Sequence, residues 1–340
     1  MGWAADRYNL RWLYAGAFAL WSVACGFTGY VGTIGVLLFM RVLLGIGESI
    51  YVPGGVKIVS LIFSVGNRGL ASGLMNCGTR AGLALGAPLI AWLVGSFGWH
   101  KAFFALGFGS LLWLVPWIGI YPDNVGSATA PAAPDLGRTL AALDRNLLGL
   151  CLGHIAFSYY WYLLVTWLPD YLVEARHMTL QQAGGYTAIP FLVFGVSEPL
   201  GGWIADHLIA LGHSESRARK LVITVAFFTS VMLLVAGRMA DDTTAVLMIG
   251  AASLVGLATG NLYALLASVA PESAVGTWMG ILNFAGNLSG IIAPIVTGLL
   301  IARTGSHYPG FVVAVVVLHL GLPAYWWMVS EKRPEKHGLL

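Results

Sequence analysis

Charge is what this 340-residue sequence has least of. Only 10% of its residues are Asp, Glu, Lys or Arg, and 58% are hydrophobic, whereas soluble domains carry roughly 25% charge. Eight stretches have no charged residue at all: 12–40, 81–100, 102–122, 146–169, 221–237, 243–271, 273–302 and 304–330. Apolar stretches of about 20 residues have the length of a transmembrane helix. The sequence therefore predicts an all-α polytopic membrane protein and excludes a soluble one, because too little polar surface is present to cover such a core.

Cysteine is also scarce, and enzyme motifs are missing. The three cysteines, Cys25, Cys77 and Cys151, lie in or beside apolar stretches and show no metal-ligand spacing. The sequence has no phosphate-binding glycine loop ending in Lys and no nucleophile elbow. We therefore expect no disulfide framework, no metal site, no cofactor and no enzyme activity.

The apolar stretches divide at glycine, proline and charged residues into ten predicted spans. They are 12–28, 32–52, 69–95, 101–121, 147–168, 184–206, 220–237, 244–267, 275–301 and 309–330. The longest polar interruption, 122–146, is rich in Ala, Pro and Gly. This pattern predicts four domains: a four-helix bundle over 1–121, a linker over 122–146, a six-helix bundle over 147–330 and a tail over 331–340.

The distribution of Lys and Arg predicts the orientation. Twelve of the eighteen lie on the side that holds both termini and the linker, four lie on the other side, and Arg41 and Arg80 lie inside spans. Because loops rich in Lys and Arg stay in the cytoplasm, we expect both termini to be cytoplasmic, in a bacterial-type plasma or inner membrane. The net charge of +3 is then a topology signal and does not indicate a nucleic-acid partner.

An internal repeat indicates a duplicated bundle. The stretch 3–6 (WAAD) returns as 203–206 (WIAD), and 73–76 (GLMN) resembles 280–283 (GILN). Such offsets of about 200 residues are typical of transporters built from repeated halves. Two spans precede the second WxAD loop and none precedes the first. We therefore expect a twelve-helix parent protein of which this chain holds ten helices, and upstream coding sequence without two further apolar spans would refute that expectation.

The loop Gly2–Arg11, GWAADRYNLR, resembles the signature between the second and third helices of the major facilitator superfamily, Gly-x-x-x-Asp-Arg-x-Gly-Arg-Arg. The match is partial, since Asn9 replaces the second Gly and only Arg11 keeps the basic end. Further motifs resemble its anion:cation symporter family: Arg41-x6-Glu48, Asn76 with Pro88, Trp167-Leu168-Pro169, and the run from Ala270 to Gly298 with its Gly, Asn and Pro residues. The resemblance covers almost the whole chain and starts at the third helix of the family.

The resemblance implies uptake of a small organic anion, such as a sugar acid or another carboxylate, coupled to protons by alternating access. The expected partners are then the anion, protons and membrane lipid, without nucleic acid or an obligatory protein partner, and the proton gradient is the driving force. In the family the fourth-helix Arg and Glu form a coupled pair, which implies anion binding by Arg41 and proton transfer by Glu48. A receptor that senses an anion on the same fold remains an alternative.

Charged residues within spans are candidates for function, since such charges face the protein interior or a watery cavity. Arg41 and Glu48 are seven residues apart and fall on one helix face; a structural ion pair between helices is the other interpretation. Arg80 shares a face with Asn76, and we expect both to contact the anion, although Arg80 could instead tether two helices. Glu198 is a second candidate proton carrier or a neutral hydrogen-bonded Glu.

Polar and aromatic side chains in the apolar helices extend the predicted substrate site. The candidates are Tyr159, Trp161, Asn261, Asn283 and Asn287, with core packing or interhelical hydrogen bonds as the alternative for each. His154 and His319 are interpreted as core histidines.

Three charged residues at the cytoplasmic helix ends are predicted to act as a gate. Asp6, Arg7 and Asp206 lie in or beside the repeated WxAD loops. Carboxylates at such positions bind helix N-termini or arginines of the facing half when the cytoplasmic side is closed.

Overall fold

The computed structural model describes residues 1–122 and 144–330, without the side chains of 83–85, 87, 88, 91, 180 and 181. Most of the predicted linker, 123–143, and the predicted tail, 331–340, lie outside these residues. The described chain is all helical. Its α-helices are α1 (Gly2–Arg7), α2 (Leu10–Thr28), α3 (Ile34–Glu48), α4 (Tyr51–Ile62), α5 (Arg68–Phe97), α6 (Trp99–Ser110), α7 (Leu114–Ile120), α8 (Arg145–Asp170), α9 (Leu180–Ala210), α10 (Glu215–Thr229), α11 (Val231–Ala236), α12 (Asp242–Ala252), α13 (Thr259–Val269), α14 (Val275–Thr304) and α15 (Tyr308–Leu320).

Short 3-10 or π segments join several of these helices into longer rods. They cover Val65–Asn67, Leu111–Trp113, Tyr171–Ala175, Ser253–Ala258, Glu272–Ala274 and Ala324–Met328. In the described residues, nine of the resulting rods are long and apolar enough to cross a membrane. The one remaining predicted span, 69–95, corresponds to α5, which is 30 residues long. The predicted all-α polytopic fold is therefore confirmed.

The helix ends agree with the predicted spans within a few residues, with one exception. The second span was predicted to end at 52, but α4 continues to Ile62. The predicted end at 52 lies directly before Pro53. In the structure Pro53 occupies the first turn of α4, where its missing N–H has no partner within the helix to lose. Ser49 and Ile50 separate α3 from α4 and keep helical backbone dihedrals, so the two helices form one long span.

Residues 1–122 and 144–330, which we call the amino-terminal and carboxy-terminal bundles, have very different cores. A large apolar cluster fills the carboxy-terminal bundle and includes Tyr160, Phe194, Phe227, Phe311 and Tyr325, all nearly or fully buried. The amino-terminal bundle has a small cluster built from Leu10, Tyr14, Ile50 and neighbours. Many apolar side chains of α3 are exposed, as expected for a surface that lies in lipid or against other apolar helices.

The bundles meet along two seams of glycine contacts. In the first seam α5 packs on α9, and a Cβ built on Gly202 would lie 2.1 Å from the carbonyl oxygen of Gly69. In the second seam α1 packs on α14, and a Cβ on Gly2 would lie 2.1 Å from the carbonyl oxygen of Gly276. Small residues allow helix backbones this close. Both seams lie toward the face that carries residues 1, 63–67, 211–214 and 270–274, which we call the amino-terminal face.

Candidate functional site

An ion pair joins the two bundles near the middle of their packed helices. Arg80 lies twelve residues into α5, and Glu198 lies twelve residues before the end of α9. Their side chains are 15% and 0% exposed, and Arg80 Nη2 lies 3.3 Å from Glu198 Oε1. Two residues assigned separate roles from sequence, anion binding and proton transfer, are therefore direct neighbours.

Aromatic rings hold the Arg80 guanidinium in place. Its Cζ lies 3.7 Å from the centre of the Trp161 ring and 5.0 Å from that of Phe194. A guanidinium over an aromatic face gains electrostatic attraction, and desolvation strengthens it. Arg80 Nε is buried and has no hydrogen-bond partner among the described residues. The guanidinium is thus fixed in position while one of its donors remains available.

A mostly polar cavity opens beside this cation. Its walls come from α5, α8, α13 and α14 and consist of Arg80, His154, Phe157, Ser158, Trp161, Tyr162, Thr259, Tyr263, Asn283, Gly286 and Asn287. The Tyr162 hydroxyl donates to Asn287 Oδ1 at 2.7 Å, and Asn287 Nδ2 donates to the Asn283 carbonyl at 2.7 Å. One cation with amide and hydroxyl groups nearby can bind a carboxylate that carries hydroxyl substituents.

Sequence reasoning missed His154 and Tyr162 as cavity residues. His154 was interpreted as a core histidine, and it is buried at 4% exposure. However, it lines the cavity, and its Nδ1 has no hydrogen-bond partner among the described residues. His154, Ser158 and Tyr162 recur every four residues on α8, and this polar spacing was the available signal.

The other predicted substrate residues lie elsewhere. Tyr159 is buried in the large core cluster. Asn76 donates to the Ser72 carbonyl of its own helix at 2.8 Å. Asn261 is fully buried and donates to the carbonyls of Gly201 and Leu257. Of the eight predicted substrate residues, the structure brings together Arg80, Trp161, Asn283 and Asn287.

Arg41 and Glu48, the predicted coupled pair, lie apart from this cavity on α3. Both residues are exposed. The Arg41 guanidinium lies 5.6 Å from the ring centre of Phe103, and neither residue forms an ion pair within the described part of the chain. The interpretation of these two as a structural ion pair therefore has no support from the described contacts.

Asp6 binds the start of a helix in the opposite bundle. Its carboxylate accepts hydrogen bonds from the backbone N–H of Gly276 at 2.9 Å, from the N–H of Thr277 at 2.6 Å and from the Thr277 hydroxyl at 2.7 Å. Lys57 Nζ lies 3.1 Å from Asp6 Oδ1. A carboxylate is favoured at a helix N-terminus, where unpaired N–H groups and the helix dipole both point at it.

Asp206, the repeat counterpart of Asp6, makes the reciprocal contact. It accepts from the N–H of Gly69 at 3.2 Å and of Leu70 at 2.8 Å, at the start of α5. Arg219 lies 3.1 Å from Asp206 and also donates to the Val65 carbonyl of the other bundle at 2.9 Å. Arg7, the third predicted gate residue, is exposed and lies over Trp3. The two repeated WxAD segments, predicted as loops, are helical in the structure, and they fasten the bundles together at the amino-terminal face.

The sequence matches a family model over two overlapping segments, residues 1–263 and 150–339, and the model describes the Major Facilitator Superfamily. This chain belongs to the Major Facilitator Superfamily. The predicted family and the prediction of a transporter rather than an enzyme are therefore confirmed. Membership together with the membrane-length helices makes the chain an integral membrane protein.

Similar proteins within the superfamily carry sugar acids in their names. A D-galactonate transporter from Escherichia coli O6:H1 is 30% identical over 356 residues, covering 97% of this chain and 82% of the relative. The "Probable galactarate/D-glucarate transporter GudP" of Bacillus subtilis is 29% identical over 339 residues, covering 90% of this chain and 74% of the relative. These relatives fit the predicted resemblance to the anion:cation symporters.

Solved structures of the superfamily share the fold of this chain. The human organic anion transporter MFSD10 (TETRAN) superposes with a TM-score of 0.75 at 16% identity, covering 95% of this chain and 79% of MFSD10. A single-residue variant of the Escherichia coli fucose:proton symporter FucP gives 0.72 at 12% identity, covering 97% of this chain and 86% of FucP. At such low identity these likenesses establish the fold alone.

Proposed function

We propose that this chain is a secondary active importer that moves a small organic anion, with sugar acids as the expected class, together with protons. The relatives named as galactonate and galactarate/glucarate transporters support the substrate class. We place the protein in a bacterial-type plasma or inner membrane with both termini in the cytoplasm, as the distribution of Lys and Arg predicts.

The observation that carries the proposal is the buried Arg80 guanidinium in a polar cavity between the bundles. Arg80 lies about 18 Å from the start of α5 by helical rise, hence near the middle of a bilayer about 30 Å thick. A charge at that depth is expensive and marks a substrate path by default. Secondary transporters bind their substrates near the midplane at the interface of the repeats.

The side chains around the cavity suggest how a sugar acid is held. The carboxylate pairs with Arg80, whose planar fork suits a two-point contact. Asn283, Asn287 and Tyr162 then bond the hydroxyl groups. No cofactor is needed in this proposal, because the pH gradient supplies the free energy.

Two further assignments complete the proposal. Arg41 and Glu48 on α3 remain a candidate anion and proton pair in addition to Arg80 and Glu198. Asp6 and Asp206 act as the cytoplasmic gate: their contacts with the opposite bundle close that end, and their release lets the bundles rock and expose the cavity to the cytoplasm.

The test is uptake by the purified 340-residue chain in proteoliposomes. Labelled D-galactonate, D-glucarate, D-glucuronate and benzoate are offered with and without a pH gradient, inside alkaline. We expect at least one acid to accumulate when the gradient is present and to equilibrate without it. Uptake that ignores the gradient for every acid would contradict proton symport. Binding of an acid without any movement across the membrane would favour the receptor instead.

A further inference from the structure

Arg80 and Glu198 are distinguished from the other ion pairs of the described chain by the helices they join. The pairs formed by Lys57, Arg176, Arg219 and His307 each connect residues of a single bundle. Arg80 and Glu198 come from different bundles, and the Glu198 side chain is fully buried while that of Arg80 is 15% exposed. This pair must therefore change whenever the bundles move apart at the level of the cavity.

The contact between the two charges is weak for a buried ion pair. It is a single contact of 3.3 Å, whereas charge-assisted N–H to carboxylate bonds are typically about 2.7–2.9 Å. Arg80 Nε has no hydrogen-bond partner in the described residues although it is buried. The guanidinium is better fixed by Trp161 and Phe194 than by Glu198. A second carboxylate that enters the cavity can therefore compete for it.

Loss of Arg80 as a partner leaves Glu198 without a compensating cation. The ionisable groups that line the cavity beside the pair are Arg80 from α5, His154 and Tyr162 from α8 and Tyr263 from α13. Tyr263 and His154 are buried, and Tyr263 is neutral near neutral pH because a phenol ionises only near pH 10. A buried carboxylate without a positive neighbour favours its protonated form.

We propose that substrate and Glu198 exchange places at Arg80, and that Glu198 takes up one proton in the same step. The Arg80–Glu198 ion pair breaks, the carboxylate of the substrate pairs with Arg80, and Glu198 changes from carboxylate to carboxylic acid. For a monocarboxylate the charge balances, because one negative charge and one proton enter together. The empty site is a neutral ion pair, and the loaded site has the same net charge. Neither the empty nor the loaded site therefore carries a net charge through the membrane. This inference rests on the proposed transport function.

The charge balance also gives a reason for coupling. An anion that bound without the proton would leave a net negative charge at bilayer depth, which is costly. A proton that bound Glu198 without the anion would leave Arg80 unpaired in the same place. The two ligands therefore favour each other at this site, which is the thermodynamic content of symport.

The test measures proton uptake on binding. The purified chain in weakly buffered detergent solution, with a pH-indicator dye, receives whichever of the four acids gives the highest uptake in proteoliposomes. For a monocarboxylate we expect close to one proton taken up per anion bound at pH 7. Glu198→Gln should reduce that number to near zero and abolish gradient-driven accumulation, while slower exchange of labelled for unlabelled acid remains measurable. Glu174→Gln, on an exposed Glu at the other face, is the matched control and should behave as the unmodified chain.

Two further measurements test the protonation of Glu198 without the Glu198→Gln variant, in case that variant does not fold. Infrared difference spectra of the unmodified chain should show a protonated-carboxyl band that appears when the acid binds, and its absence would overturn the proposal. His154→Gln should leave the proton count at one, and a loss of proton uptake in this variant alone would assign the proton to His154. If no acid moves at all, the proposed function fails; if an acid moves and Glu198→Gln still accumulates it, only the exchange at Arg80 fails.

Discussion

Gly195 lies directly against the stem of Arg80. A Cβ built on Gly195 would be 2.9 Å from Arg80 Cβ and 3.3 Å from its Cγ. Helix α9 therefore presents a glycine at the point where α5 carries its buried arginine. The absent side chain gives the guanidinium room to lie between Trp161 and Glu198.

Gly195→Ala should weaken anion binding without removing any polar group. The added methyl group forces Arg80 or the helix backbones to shift, and overpacking typically costs about 1–3 kcal/mol. We expect the KM for uptake to rise by about fivefold or more. Gly184→Ala is the matched control, because the same methyl group on the same helix meets nothing within 4 Å. Equal KM values for the two variants would disprove the role of the Gly195 contact.

The ring of Trp161 should contribute to anion affinity through Arg80. Trp161→Ala removes a cation–π contact of about 1–2 kcal/mol, so we expect the KM to rise roughly tenfold, and Trp161→Phe should recover part of the loss. Trp203→Phe, on an exposed tryptophan of α9, serves as the control. A KM unchanged in Trp161→Ala would show that the ring does not hold the guanidinium in its binding position.

Loss of charge at Asp206 should open the amino-terminal face. Asp206→Asn removes the negative charge that accepts hydrogen bonds from the N–H groups of Gly69 and Leu70 at the start of α5. The variant weakens these bonds, because hydrogen bonds to a charged group are worth about 1.5–3 kcal/mol each. In a background with Cys25, Cys77 and Cys151 changed to Ser, we introduce Ser72→Cys at a buried position of α5. Maleimide should then label this cysteine about tenfold faster in the Asp206→Asn variant.

Glu174→Gln in the same background controls for charge removal at the other face. A labelling rate in Asp206→Asn equal to that of this control would contradict the gating role of Asp206. Asp6→Asn should act in the same direction as Asp206→Asn, since Asp6 makes the reciprocal contact with α14.

Glu48 is the second candidate proton carrier, and the proton count on anion binding, which the exchange at Glu198 sets close to one, separates the two residues. Glu48→Gln is expected to retain exchange of labelled for unlabelled acid and to lose accumulation driven by a pH gradient, because the amide cannot carry the proton. The measurement is uptake with and without the gradient in proteoliposomes. Accumulation at the level of the unmodified chain would remove Glu48 from proton coupling and leave that role to Glu198.

Sequence alone was sufficient for the helices and for the repeat. Long uncharged stretches fix where helices cross the membrane, and the offset between Asp6 and Asp206 predicted two equivalent segments, which are helical rather than loops. The contacts of these segments with helix starts followed from the preference of carboxylates for such sites. The predicted end of the second span at 52 was wrong. Proline can follow the end of a helix or occupy its first turn, and Pro53 occupies the first turn of α4.

The candidate site was less accessible to sequence reasoning. Arg80 and Glu198 were each recognised as charges in apolar helices, but 118 residues separate them and no local pattern records which helices touch. Asn261 and Asn283 are both amides in apolar helices, yet one bonds backbone carbonyls in the core and the other lines the cavity. Only the packing of the bundles distinguishes these cases.

The most direct test of a central anion site at Arg80 is exchange of labelled for unlabelled acid in proteoliposomes, which needs no gradient. We compare the unmodified chain with Arg80→Gln, Arg80→Lys and the control Arg303→Gln, whose arginine is exposed at the end of α14. Gel filtration and thermal unfolding confirm that each variant is folded. We predict exchange by the unmodified chain and the control, reduced exchange by Arg80→Lys and none by Arg80→Gln. Exchange by folded Arg80→Gln at the rate of the control would contradict the account.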